Sequence, residues 1–460
     1  MSMMSRKGLT FAVALGVLAW LGLGATLALA QLGNYTAIQV QNLGDGPANV
    51  AVTYIDPQGT VIAGASRSYT IPVGESVFIL SSTNDDLPDG FIGSVVLYSD
   101  EPIAAISNHA NYASTSYSQS AASFEGFSEG ATNVYLPLLF KSFAAGWNSR
   151  FYVQNVSDTA AAEVTVHFYR DDGSLEYSNT SAVADPIAVY ASRAYEQETD
   201  ANITAPWRGS ATIESDQPVA VVVEEYLGDH MLLAYNGIPM ADLSTDLRMP
   251  HLWKGYGAGW YSNFSIMNAE DDPTNNPATV TVLYSNDCTF TTVVTTSKQF
   301  LQIDEPDTCL PDGWIGSAQI TSTNKLVGTV NHVLLGSKLI SAYTAYPAAY
   351  ASTQVELPLV WNNYGLGWYS SVAVQATSPT TVTITYASGT PPLPSPIVTE
   401  QWIDTMGFFL QSTAGLPNGW IGGATITADQ PVLAIVNEQL NPPPPGRDVL
   451  LTYRPFRVEP

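Results

Sequence analysis

Residues Tyr135 to Asn155 read Y-L-P-L-L-F-K-S-F-A-A-G-W-N-S-R-F-Y-V-Q-N. The same design returns from Met249 to Asn268, as M-P-H-L-W-K-G-Y-G-A-G-W-Y-S-N-F-S-I-M-N. It returns again from Leu357 to Gln375, as L-P-L-V-W-N-N-Y-G-L-G-W-Y-S-S-V-A-V-Q. A proline, an aromatic cluster and Gly-Trp-x-Ser recurring at wide, regular spacing mark an array of repeats.

Other anchors recur in step. An alternating strand follows each copy, at Val50–Tyr54, Val164–Phe168, Val280–Tyr284 and Val382–Tyr386, with its odd positions apolar as a half-buried strand requires. Turn residues come next, as in Asp56-Pro57-Gln58-Gly59 and Asp171-Asp172-Gly173. Then comes Leu-Pro-Asp-Gly-Phe-Ile-Gly-Ser at Leu87–Ser94, echoed at Ala205–Ser210, Leu310–Ser317 and Leu416–Gly423. Two apolar strands separated by a polar turn are expected after it, and a last strand carrying Tyr117, Tyr235, Tyr343 or Tyr453. The equivalent residues Gln41, Gln154, Met267 and Gln375 are spaced by 113, 113 and 108. Short strands with regular turn signals in units of this length predict an all-β protein. The expected arrangement is four tandem antiparallel β-sandwich (Ig-like) domains, at 31–131, 132–246, 247–353 and 354–460.

The first repeat holds only the end of the opening motif, Asn34 to Asn42. The Pro-Leu to Gly-Trp part therefore reads as a joint between a domain and the one before it. On that reading Trp260 belongs to the junction of repeats two and three.

The N-terminus reads as a secretory leader over residues 1–30. Arg6 and Lys7 precede an apolar stretch, Phe11 to Leu27, and Ala28-Leu29-Ala30 is a cleavage site, so the mature chain begins at Gln31. No other segment approaches the roughly 20 apolar residues of a spanning helix. Without Arg6 and Lys7, 14 of the 16 basic residues face all 41 acidic ones, a net charge near −27. That field repels phosphate backbones and excludes nucleic acid as a natural partner. Export favours a disulfide between the two cysteines, Cys288 and Cys309.

The anchors P-L-x-x-x-x-x-x-G-W-x-[ST], L-P-x-G-[FW]-x-G-[SG] and P-[VI]-x-A-x-V-N-[EQ] resemble the tandem β-sandwich repeats of proteins secreted by or displayed on environmental bacteria. The resemblance covers residues 34 to 460. More remotely, the unit is similar to the small sandwich domain of sensory-rhodopsin-transducer-like proteins. Neither resemblance transfers a functional residue.

Candidate chemistry is sparse. The five histidines have no i+2 or i+4 His partner. Gly-Trp-Asn-Ser149 and Gly-Trp-Tyr-Ser262 are not nucleophile elbows. The adjacent carboxylates Glu224-Glu225 and Asp271-Asp272 point to opposite faces of a strand, so they do not flank one bond. Asp171-Asp172-Gly173, Asn84-Asp85-Asp86 and the run from Asn268 to Asn276 offer oxygen ligands. None fits an EF-hand, so calcium is a weak expectation and no other cofactor is implied. Asn108-His109, Asn331-His332 and Asn437-Glu438 recur after a strand, with Glu224-Glu225 in the second repeat. They read as polar strand ends that hydrogen-bond a turn, or as one polar site per domain through Asn108, Asn331 and Asn437. Trp147, Trp260 and Trp368, like Trp207, Trp314 and Trp420, recur as packing residues. Trp253 and Trp361 are less regular and read as an exposed stacking face for a ligand. These features predict an extracellular or cell-surface protein without enzymatic activity. It would be structural or adhesive, binding through weak contacts repeated along a rod. The alternatives are a carbohydrate- or cell-wall-binding protein, and a subunit that self-associates into filaments or a surface layer. A glycan, cell-wall or protein partner follows, with no membrane span in the mature chain.

Overall fold

The computed structural model describes residues 9–15, 33–112, 120–270, 277–304, 309–334, 336, 338–387, 389–443 and 447–457. Their regular structure is almost entirely strand; a single short α-helix, Ser181–Ala184, lies among them. Ala30, Gln31, Tyr117 and Asp271-Asp272 lie outside the described residues.

Each repeat is two small antiparallel sheets joined by one long strand. In repeats two to four that strand is continuous over 21 residues, Trp207–Leu227, Trp314–Leu334 and Trp420–Leu440. The two separate strands expected there are therefore one. In the first repeat alone it breaks, into Gly93–Ser99 and Ile103–Tyr112. The first half of the long strand pairs with the alternating third strand (Ala48–Ile55, Val164–Arg170, Ala278–Tyr284, Thr380–Tyr386). Its second half pairs with the second strand (Gly33–Asn42, Asn148–Asn155, Trp260–Asn268, Trp368–Ala376). Where the long strand enters, a glycine is obligatory: a Cβ at Gly209 would lie 1.9 Å from the Tyr169 carbonyl oxygen. An edge-on aromatic pair sits beside that entry in every repeat: Tyr54–Phe91, Phe168–Trp207, Tyr284–Trp314 and Tyr386–Trp420. Those tryptophans are packing residues, as the sequence implies.

The Pro-Leu motif forms an opening strand in repeats two to four, Ala131–Lys141, Ser244–Tyr256 and Ser352–Tyr364. These begin one to three residues ahead of the expected boundaries. Each carries a bulge at its proline, which has no N–H to lose: Pro250 and His251 face one residue of the long strand between the pairs Met249↔Ala318 and Leu252↔Gly316. Two side chains repair the interrupted ladder. The hydroxyls of Tyr235, Tyr343 and Tyr453 donate to the bulge carbonyls of Leu138, His251 and Leu359. The serine of Gly-Trp-x-Ser accepts the next free backbone N–H: Ser149 from Phe140 at 2.8 Å, Ser262 from Trp253 at 2.9 Å, Ser370 from Trp361 at 2.8 Å. In register, the first repeat has Phe124 in the place of these tyrosines. Tyr117 is therefore not their counterpart.

A last, axial strand pairs with the end of each long strand: Ser120–Glu125, Met231–Asn236, Leu339–Thr344 and Leu450–Tyr453. One face of it completes its own core and the other packs on the preceding repeat. Thus Leu232 and Ala234 join Val222 in the core of repeat one. Ile340 and Ala342 join the core of repeat two. Repeat three receives Leu433 and Ile435 from the long strand of repeat four. Repeat four receives Ile106 and Ala121 from repeat one. The axial strands contact each other in the order one–two–three–four–one. The array is a closed ring, not the rod expected from tandem order.

The joint also lies elsewhere than expected. The opening strands of repeats two and three pack on the second and long strands of the repeat that follows, and that of repeat four packs on repeat one. Trp260 accordingly joins Trp253 and Leu334 to Leu440, Val449 and Leu450, at the junction of repeats three and four. Tandem order cannot distinguish the two sides of a repeat, because both neighbours carry the same motifs. Cys288 and Cys309 are joined by a disulfide with Cα atoms 5.7 Å apart, tying down the loop of repeat three as expected.

Deleting residues 354–460 should therefore do more than shorten the protein. It strips Leu433 and Ile435 from repeat three, where losing even one such side chain costs about 2–5 kcal/mol. Calorimetry of the three-repeat chain should show no cooperative transition near that of the full chain. An unchanged melting temperature would mean that the repeats are independent.

Candidate functional site

Among the paired polar residues near the ends of the long strands, all but Asn108 are buried, and His109, Glu224, Glu225, Asn331 and Asn437 reach a neighbouring repeat. Adjacent strand residues face opposite ways, so one of each pair can reach backward while the other faces forward. At the first junction Glu224 meets His109 Nδ1 at 2.7 Å and accepts from Arg150 Nε at 2.6 Å. At the second, Asn331 Nδ2 donates to Glu225 Oε2 at 3.2 Å. At the third, Asn437 Nδ2 donates to His251 Nδ1 at 2.8 Å. His332 lies beside that contact, with its Nδ1 hydrogen-bonded to the Ser262 hydroxyl at 2.9 Å. At the closing junction, Glu125 Oε1 accepts from the Arg454 backbone N–H at 2.6 Å. The Arg454 guanidinium lies 3.8 Å from Glu125 and 4.7 Å from the centre of the Tyr346 ring. Within repeat one Asn108 Oδ1 accepts from Ser123 at 2.6 Å, and Glu438 is fully buried with no hydrogen-bond partner on either carboxylate oxygen among the described residues.

One carboxylate ties three repeats at the axis. Asp448 accepts from the backbone N–H of Leu232 at 3.1 Å, of Ile340 at 3.0 Å, and of Leu450. These three amides hold equivalent positions in three axial strands. Burial pushes the Asp448 carboxyl up while the three amides pull it down. No repeat motif contains Asp448, and the only sequence signal for it is its place in the final hairpin.

Burial dominates the acidity of this belt. It pushes Glu225 up to about 8, against the Asn331 hydrogen bond, and raises Glu438 well above the carboxylate range. It drives His332 down to about 3 and, with the neighbouring His332 ring, keeps His251 neutral. Burial would raise Glu224 too, but Arg150 and His109 more than offset it and hold that carboxyl at about 2. These groups act as junction parts, sealed from solvent.

The structure re-places the tryptophan candidates and gives two of the three asparagines a partner in the preceding repeat. Trp253 and Trp361, expected to be exposed, are 6% and 5% accessible. They pack against Trp260 and Trp368 with ring centres 4.8 Å apart in each pair, tilted in the first and edge-on in the second, and Ser262 and Ser370 pin their backbones. Asn331 and Asn437 bond the preceding repeat rather than a turn of their own. Asp171-Asp172-Gly173 is an Asx turn closed by Ser174, and it docks on repeat three through Thr296. Asn84 and Asp86 are taken up by Arg67. Trp402, which has no counterpart in the other repeats, is the exposed tryptophan among the described residues, at 65% accessible.

No family model and no curated protein matches the chain. Among solved structures it is similar to Thermotoga maritima 1070, at 16% identity, 24% of this chain, 97% of that chain and a TM-score of 0.20. It is similar to the partial N-terminal region of enterococcal surface protein, at 8% identity, 91% of this chain, 96% of that chain and a TM-score of 0.16. It is also similar to the full-length major pilin RrgB from Streptococcus pneumoniae, at 8% identity, 98% of this chain, 95% of that chain and a TM-score of 0.11. Likenesses this distant carry no function across.

Two outcomes follow from the belt. Glu225 titrates near 8 when folded and near 4.5 otherwise, so the folded chain keeps a proton that the unfolded chain releases between those values. Its contribution to stability therefore falls as pH rises from about 4.5 to 8. His251 and His332 act oppositely, losing stability as pH drops below 6.5. Glu225→Gln should gain melting temperature relative to the parent between pH 5 and pH 8; a constant difference would show that Glu225 does not titrate there. Glu224→Gln strands Arg150 and His109 and should cost about 3–5 kcal/mol in denaturant unfolding, part of it recovered by adding Arg150→Met.

Proposed function

We propose that the chain is an exported, non-enzymatic structural or adhesive protein of the cell surface or extracellular space. It works as a closed four-repeat platform that presents its outer turns several times over. Core sharing carries this reading: the buried polar groups between repeats are parts of the assembly, which leaves the outer turns and edge strands for recognition. Among the described residues no helix is long and apolar enough to cross a membrane. Repeated weak contacts gain from effective concentration only when the partner is itself repeated, as a glycan or a cell-wall polymer is. The carbohydrate reading is favoured by Trp402 and Val398, exposed at 65% and 56% on the outer edge strand Ile397–Ile403. An exposed indole offers a flat apolar face with a polar N–H. The same edge is also a natural point of self-association.

Retention of the mature chain on purified cell wall and on a glycan array tests this. Binding that drops at least tenfold in Trp402→Ala, with the melting temperature unchanged, is expected. No retention on either matrix, or catalytic turnover of a bound glycan, would contradict it. Assembly into filaments without ligand would instead point to the self-association reading.

A further inference from the structure

We propose that the exported chain carries one open strand slot, between repeats one and two, and that this slot binds an extended apolar segment of a partner polypeptide by strand addition. The proposal rests on reading residues 1–30 as a leader that is removed.

The slot is visible because the leader occupies it here. Leu9–Leu15 runs antiparallel to Gly93–Ser99, from Leu9↔Ser99 to Leu15↔Gly93. It lies against Asn148–Asn155 and Trp207–Leu227 of repeat two. These are the neighbours that an opening strand has elsewhere in the ring. Three repeats fill this place with their own Pro-Leu strand, and the first has none. Cleavage after Ala30 removes Leu9–Leu15 and frees the outer row of N–H and C=O groups on Gly93–Ser99, next to the core residues Val95 and Leu97. An edge of this kind binds another strand through main-chain hydrogen bonds, with alternate side chains giving specificity.

Its shape also selects the occupant. The bulged, proline-bearing strands need a tyrosine hydroxyl to satisfy the bulge carbonyl. Repeat one has Phe124 at that position and offers no hydroxyl. The seven pairs of Leu9–Leu15 run without a register shift. The slot therefore suits an unbulged, proline-free segment of about seven residues with alternating apolar positions, as in L-T-F-A-V-A-L.

The test begins with the intact mass of the secreted protein, which should start at Gln31. A synthetic L-T-F-A-V-A-L peptide with a C-terminal lysine tail is then titrated into it. One peptide per chain and a raised melting temperature are expected. The peptide L-T-F-P-V-A-L should bind at least tenfold more weakly. A chain in which Ala28→Arg blocks cleavage should not bind, because its slot is filled in cis. A cleaved chain that ignores the peptide, or binds both peptides alike, overturns the slot and leaves the leader reading standing. A secreted chain that retains Met1 overturns both. Self-association of the mature chain that the peptide competes away would identify the partner as a second copy.

Discussion

No repeat of this protein closes its own core. Each leaves an opening that side chains of the next repeat fill, and the fourth is filled by Ile106 and Ala121 of the first. Burial of apolar surface is the main favourable term in folding, so a unit that needs its neighbour to complete that burial is not an independent domain. Everything else follows from this sharing. The axial strands carry short side chains toward their neighbours, such as Ala121, Ala234 and Ala342, which lets four strands meet around one axis. The opening strands of repeats two to four cover the outside of three junctions, and Asp448 gathers three backbone amides at the axis.

The polar belt adds order to this apolar scheme. The junctions are not interchangeable: one joins His109 to Glu224 and Arg150, the next Glu225 to Asn331, the next His251 to Asn437, and the last Glu125 to Arg454. A repeat placed out of sequence would leave a buried charge or amide without its partner. Such a loss costs more than the correct pair contributes, so the belt discriminates against wrong order more than it stabilises the right one.

Much of the fold was legible in the sequence, and the reasons are local. Alternation at Val164–Phe168 or Val382–Tyr386, turn residues, and the recurrent Gly at long-strand entries are dictated by strand geometry within one repeat. The pairing of Cys288 with Cys309 is local in the same sense. Closure was not legible, because it joins residues such as Gln41 and Glu356 that are 315 positions apart, and tandem motifs look alike in a rod and a ring. The tryptophans misled for a related reason. Trp253 and Trp361 break the repeat pattern only because Phe140 takes the same place in repeat two, and all three residues are covered by the following Gly-Trp. The Asn-His and Asn-Glu strand ends read as polar positions, but the partners of His109, Asn331 and Asn437 lie in a neighbouring repeat and leave no trace in spacing. Phe124 was the most informative residue missed: a tyrosine lost in the repeat that has no opening strand of its own.

Small-angle scattering of the mature chain tests closure most directly. A compact body of its length has a radius of gyration of about 22 Å. Four sandwiches set end to end would give about 40 Å, from the size of each unit. The shared cores predict the smaller value, unchanged by dilution; the larger one would contradict the ring.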